Sequence, residues 1–311
     1  MAHDFDLAFL RVGGVALYWY GAIYTVGFLG LFAWFRLRRG RLGLGRAEVL
    51  DLVILLAAGM LIGGRIFDIS VYERDYYEAH PWQALDWWRG GMATHGVLFG
   101  GLVAAAIFTR WKRMPLLLLL DEIVVPGVFL MAVGRLGNFI EGGVIGTVTT
   151  LPWGVTYADL EGPRHPVALY DAAKNLALVP VLAWALARFG GGSGVATALF
   201  LLLYAGLRFL VDLTRDYESV LLGLGPGQVF NLAMAAAGLV LLLWFLRRPR
   251  PRPQPRPAPS GPAGPWRAVL FAFLVLYPRG IPTSWTEVNI EAKRAAEPET
   301  NRGAGRSRET P

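Results

Sequence analysis

Four stretches of the chain contain no Asp, Glu, Lys or Arg: residues 12–35, 90–109, 189–207 and 219–246. Each is as long as the roughly 18 apolar residues that mark a membrane-crossing helix. Three further stretches are apolar but interrupted by charge. Residues 48–69 carry Asp51, Arg65 and Asp68, residues 114–134 carry Asp121 and Glu122, and residues 166–187 carry Asp171 and Lys174. The pattern predicts an all-α polytopic membrane protein with about seven transmembrane helices. The first apolar stretch is too long for a signal peptide, and no basic region precedes it.

Orientation follows from the basic residues in the short connections. The first connection holds Arg36, Arg38, Arg39, Arg41 and Arg46, the third holds Arg110, Lys112 and Arg113, and the fifth holds Arg188. The alternate connections are mixed or acidic, with Asp68, Glu73, Asp75, Glu78 and Asp86 in one of them. This predicts an N-terminus outside and a C-terminus in the cytoplasm.

Composition sharpens the division of the chain. The net charge is +7, and residues 247–311 account for all of it with 12 basic and 5 acidic side chains. Residues 1–246 are therefore neutral and form the predicted membrane core. Residues 247–265 are an Arg- and Pro-rich linker, too rich in Pro for a helix. Residues 266–311 are read as a cytoplasmic tail, largely disordered. Its apolar run from Ala268 to Pro278 is too short to cross a bilayer as a helix. A positive tail on the cytoplasmic side fits anionic lipid better than nucleic acid. The absence of Cys excludes disulfides, thiolate metal sites and a thiol nucleophile from the chain itself.

The candidate chemistry gathers at one end of the predicted bundle. Tyr20 lies in the outer half of the first helix and His95 near the outer end of the third. Arg135 and Asn138 belong to the exit of the fourth, and Arg164 and His165 precede the fifth. Arg208, Asp212 and Arg215 close the sixth. Ionisable groups at membrane depth are costly and mark function or a polar network by default. Arginine forks near the interface suit a phosphate, and a neutral His beside them suits a base. Plainer readings stand beside these. Tyr20 fits an aromatic belt, Arg164 and Arg215 fit snorkelling, His95 fits a helix-packing contact, and His165 fits a cap. Asp121 and Glu122 fit an interface or a pair within the bundle. The residues alone point to an outward-facing site for an anionic phosphate, such as a phospholipid headgroup, and leave binding and chemistry both open.

Six motifs in order carry a resemblance. They are GVALYWYG at 14–21, GGRI at 63–66, GGMATHG at 90–96, GRLGNFI at 134–140, RHPVALY at 164–170, and Tyr204 to Arg215 followed by Gly227 and Gln228. Over residues 10–246 the chain resembles the prolipoprotein diacylglyceryl transferases. The resemblance implies transfer of the diacylglyceryl group of phosphatidylglycerol to the lipobox cysteine thiol of a prolipoprotein signal peptide. A thioether forms and glycerol phosphate is released, with no cofactor and no metal. It implies a bacterial inner or plasma membrane location with the site on the periplasmic or extracellular side.

By the same resemblance His95, Arg135 and Arg208 are catalytic. The arginines grip the phosphate and stabilise the leaving group, while His95 or Tyr20 deprotonates or orients the thiol. Tyr20, Asn138, Glu141, His165, Tyr204 and Arg215 bind substrate. The chain departs from the family pattern at Gly143, where the family has Glu, and carries Glu141 two positions earlier. It also has Val97 in place of a glycine and Asp212 in place of Glu. A divergent, non-catalytic relative that binds or transports an anionic phospholipid is the alternative.

Overall fold

The structure, a computed structural model, describes residues 2–6, 8–12, 15–72, 74–85, 94–142, 144–157, 160–215, 226–249, 264–276 and 281–282. A short antiparallel ribbon of β1 (Ala8–Val12) and β2 (Val15–Tyr18) leads directly into α1 (Trp19–Leu42). After it come α2 (Arg46–Phe67), a π-helical turn (Asp68–Tyr72), α3 (Arg74–Ala79) and a 3-10 turn (Pro81–Leu85). Then follow α4 (Thr94–Lys112), α5 (Leu116–Glu141), α6 (Val167–Phe189), α7 (Val195–Asp212), α8 (Pro226–Leu246) and α9 (Pro265–Leu276). The fold is therefore predominantly helical. Among the described residues, five helices are long and apolar enough to cross a membrane: Arg46–Val71, Leu116–Ile140, Val167–Phe189, Val195–Asp212 and Gly227–Leu246.

The first apolar stretch differs from its expected form. Residues 15–18 are a strand and the helix starts only at Trp19, running on through Arg36, Arg38 and Arg39. Apolarity alone does not separate strand from helix, and Val15, Ala16, Leu17 and Tyr18 satisfy either. The helix accommodates its basic end because Arg38 donates through Nε and Nη2 to the buried Glu122 of α5. Arg38 also lies over the Trp34 ring at 5.0 Å.

Packing follows the chain order around the bundle. The helix α1 lies between α2 and α5, α4 packs on α2, and α5, α6, α7 and α8 follow as successive neighbours. One core joins Phe28, Leu31 and Phe35 of α1 to Leu52 and Leu56 of α2 and Phe108 of α4. A second joins Val124 and Val128 of α5 to Leu178 and Leu182 of α6 and Tyr204 of α7. The outer faces carry exposed Phe99, Ile107, Leu210, Phe230 and Val240. Such faces are costly in water and neutral against lipid tails.

In lipid the hydrophobic effect no longer drives helices together, so close backbone approach has to. The α2–α4 contact uses a small-residue seam on both helices, Gly59 and Gly63 against Gly96 and Gly100. A Cβ added at Gly100 would lie 2.0 Å from the Gly59 carbonyl oxygen, and one at Gly63 would lie 2.4 Å from that of Gly96. This seam fixes the entry of α4, and with it the backbone of His95.

The acidic residues that interrupt the apolar stretches are matched at the end of the bundle where α1 finishes. Asp121 accepts from the backbone N–H groups of Gly192 (3.0 Å), Gly194 (2.8 Å) and Thr197 (3.0 Å), and from the Thr197 hydroxyl (2.7 Å). It thus satisfies the orphan donors at the start of α7. Lys112 pairs with Glu48 at 2.9 Å, and Glu48 also accepts from the Gly45 N–H at the start of α2.

The appendage is less separate than its composition suggests. Arg267 of α9 donates to Asp51 of α2 at 2.6 and 3.3 Å, and Phe271 meets Phe32 of α1 at 5.2 Å between ring centroids. Ile281 and Pro282 form β3 on the free edge of β2, opposite Ala16 and Val15. The described parts of the segment thus touch α1, α2 and the ribbon.

A buried charge cluster as candidate active site

At the end of the bundle where α5 and α7 finish and α6 begins, five charged side chains meet below the rim. The centre is Asp171 of α6, fully buried. Its Oδ2 is 2.5 Å from Nε of Arg135 on α5 and accepts from Nη1 of Arg208 on α7. Its Oδ1 faces Lys174 Nζ at 2.8 Å, one turn along the same helix. Arg208 uses its second nitrogen, Nη2, on Asp212 at 2.8 Å, one turn nearer the rim. Asp212 in turn accepts from the Asn231 amide of α8 at 3.0 Å. Four helices thus share one ion network.

The local sequence explains this convergence. Asp171 and Lys174 are three apart, and Arg208 and Asp212 are four apart, the two spacings that set side chains on one helix face. Tyr204 is four residues before Arg208 and buried. Lys174 Nζ lies over its ring at 4.0 Å. The helix α5 ends at Gly142 in the left-handed conformation at φ 69°, its N–H closing onto the Asn138 and Phe139 carbonyls. That cap stops the helix one and a half turns past Arg135.

The connection from α5 to α6 folds over the cluster. Arg164 pairs through its backbone with Val155 and Val148, and its Nη1 donates to the Gly146 carbonyl at 3.2 Å. Gly146 bridges to Arg215. A Cβ at Gly146 would lie 2.6 Å from the His165 carbonyl oxygen and 2.7 Å from that of Thr214, so three backbone strands meet there. The N-terminal segment closes the same face. His3 Nε2 donates to the Phe139 carbonyl at 2.6 Å, and its ring stacks on Tyr157 at 4.8 Å. Burial pushes the Tyr157 phenol above its ordinary pKa.

Of the sequence candidates, the structure brings Arg135, Arg208 and Tyr204 into direct contact through the cluster. Arg215 follows at its edge, with its backbone N–H on the Asp212 carbonyl. Asn138 is half-buried on α5, one turn beyond Arg135. His165 sits just before α6, its Nδ1 3.2 Å from the Tyr170 hydroxyl, a contact that orients it toward the loop. The helices α1, α4 and α5 hold the backbones of Tyr20, His95 and Glu141, but those three side chains lie outside the described residues, as does Gly143. Arg65, in the GGRI motif, donates to the Ala84 carbonyl at 3.0 Å and lies over Tyr77 at 5.0 Å. It ties down the connection toward α4.

Asp171, Lys174, Asn175 and Asn231 were not among the sequence candidates. The signal for the first two was present, a charge pair at helical spacing inside an apolar stretch. Their partners lie 36 and more residues away and were not legible. The arrangement matters chemically. Among the described residues three cations (Arg135, Arg208 and Lys174) share two carboxylates. Counted over those five side chains, the cations outnumber the carboxylates by one. Such a site is poised for one anionic group.

The model of the family described as prolipoprotein diacylglyceryl transferase matches residues 7–244. Among similar proteins, the phosphatidylglycerol–prolipoprotein diacylglyceryl transferase of Methylibium petroleiphilum is 37% identical over 259 residues, covering 79% of this chain and 98% of its own. The protein of the same name from Geobacter sulfurreducens is 34% identical over 250 residues, covering 78% and 96%. That from Chromohalobacter salexigens is 37% identical over 255 residues, covering 79% and 94%. With all six motifs inside the matched residues and the cluster drawing Arg135 and Arg208 from two of them, the chain belongs to the prolipoprotein diacylglyceryl transferase family.

Proposed function

We propose that this chain transfers the diacylglyceryl group of phosphatidylglycerol to the lipobox cysteine thiol of a prolipoprotein. The observation that carries the reading is the pairing of Arg135 and Arg208 on the one buried carboxylate of Asp171. The reaction forms a bond between the peptide sulfur and the glycerol carbon of the lipid, and breaks that carbon's bond to the phosphate oxygen. The thiol proton leaves, and the departing glycerol phosphate gains a negative charge. Arginine forks already oriented by Asp171 meet that developing charge without reorganising, which is where electrostatic catalysis is largest. His95, or Tyr20, takes the thiol proton. Asn138, Glu141, His165, Tyr204 and Arg215 hold the headgroup and the loop that covers it.

All seven long helices, α1, α2 and α4–α8, are spans in this reading, with the cluster at the periplasmic or extracellular face of a bacterial inner or plasma membrane. Arg36, Arg38, Arg39, Arg41, Arg110, Lys112 and Arg188 at the opposite end support that orientation.

The test is incubation of purified protein with labelled phosphatidylglycerol and a lipobox peptide. Labelled lipid is expected on the peptide cysteine, with glycerol phosphate in equal amount. Intact protein that yields no thioether, beside an active relative under the same conditions, overturns the reading.

A further inference from the structure

One turn below Asp171, α6 carries a side-chain donor that the network does not use. Asn175 is four residues after Asp171, about 6 Å deeper on the same helix face, and is fully buried. Its Oδ1 accepts from Lys174 Nζ at 2.8 Å. That contact sets which way the amide points. Its nitrogen, Nδ2, has no hydrogen-bond partner among the described residues. Buried amide donors are almost always paired in proteins, and in lipid no water stands by to pair this one. An acceptor is missing.

The position says what kind. A glycerophospholipid held by its phosphate at Arg135 and Arg208 extends its glycerol and acyl chains toward the bilayer centre. The first polar groups below the phosphate are the ester carbonyls. These oxygens accept hydrogen bonds and carry no proton, so they match a lone N–H donor. We propose that the Asn175 amide reads an acyl ester carbonyl of the lipid donor, with Lys174 as the positioning residue that holds the amide in register. The site then distinguishes diester from dialkyl-ether lipids. This inference rests on the transferase reading and names a specificity determinant within it.

The bond that breaks lies between the glycerol carbon and the phosphate, so an ether in place of the ester leaves the chemistry intact. Any difference between the two lipids therefore reports recognition. A site that donates to an acceptor discriminates against an analogue lacking it, because its own group is left unpaired.

The experiment compares kcat/KM for diester and dialkyl-ether phosphatidylglycerol with one lipobox peptide, using the full chain in detergent. The wild-type protein is expected to favour the diester roughly tenfold. Asn175→Leu, similar in size and free of the donor, is expected to bring the two within about twofold by slowing the diester. Lys174→Met is expected to reduce the preference in part. Each ratio is taken within one preparation, so a loss of folded protein cancels. Equal wild-type rates on both lipids, or a preference that survives Asn175→Leu, overturn this inference and leave the transferase reading standing. A rise in peptide KM with an unchanged lipid ratio also overturns it and assigns the amide to a peptide carbonyl. No transfer from either lipid overturns both.

Discussion

Arg135 and Asp171 meet at 2.5 Å across the α5–α6 interface, and the same carboxylate oxygen accepts from Arg208, 37 positions further along the chain. Two arginines from different helices are thus assembled on one buried anion. Two guanidinium groups that repel one another are held side by side on one carboxylate oxygen. The carboxylate offsets the cost of burying them.

Replacing Asp171 is expected to damage both fold and activity. Asp171→Asn keeps the shape and removes the charge, leaving Arg135, Arg208 and Lys174 with only Asp212 as counter-ion. Breaking a buried pair from one side costs about 3–5 kcal/mol. The unfolding midpoint in detergent should fall clearly. Loss of the arginine geometry should lower transfer by roughly 10²-fold. Asp171→Glu should recover a measurable part of both.

Arg208 should not tolerate Lys. Its guanidinium donates to Asp171 and Asp212 at once, a fork that a single ammonium on a flexible stem does not reproduce. Arg208→Lys and Arg208→Ala are both expected to lower kcat by about 10²–10³-fold, the effect of removing one oriented donor to a developing anion. A Lys variant within a few-fold of wild type, in steady-state assays, would count against the double-fork role.

The α2–α4 seam makes a prediction about stability. Gly100→Ala places a methyl 2.0 Å from the Gly59 carbonyl oxygen, so the helices must separate, at a cost of about 1–3 kcal/mol. Gly40→Ala meets nothing within 4 Å and is expected to be neutral or slightly stabilising. Thermal unfolding of the two variants beside wild type checks the contrast.

Asp121 should matter for stability without mattering for chemistry. Asp121→Ala removes the acceptor for three backbone N–H groups and one hydroxyl at the start of α7, each a loss of about 1–3 kcal/mol when left unpaired. The carboxylate lies at the opposite end of the bundle from Asp171. The variant should melt at lower temperature, while kcat/KM per folded molecule at permissive temperature stays near wild type. A selective fall in kcat/KM would show coupling between the two ends.

Much of the molecule was legible before folding. Residues without charge for 19 or more positions have no soluble way to hide so much apolar surface, so helices in a bilayer follow. The Arg135 and Arg208 motifs stood out because cations at membrane depth require a reason. Asp171 and Lys174 were visible as interruptions and were not read as the centre of the site. An ion pair between helices has no sequence spacing to announce it. The ribbon at 15–18 and the docking of α9 were missed for a related cause. Short apolar runs suit strand, core helix or surface helix equally, and only their neighbours choose.

The sequence by itself determined that this is a predominantly helical membrane protein, because hydrophobic length is a local quantity. The tertiary structure alone decided that Arg135 and Arg208 share Asp171, that Lys174 joins them and that Asn175 keeps an unpaired donor one turn below. Those are distances between helices, set by close packing and by the need to balance every buried charge.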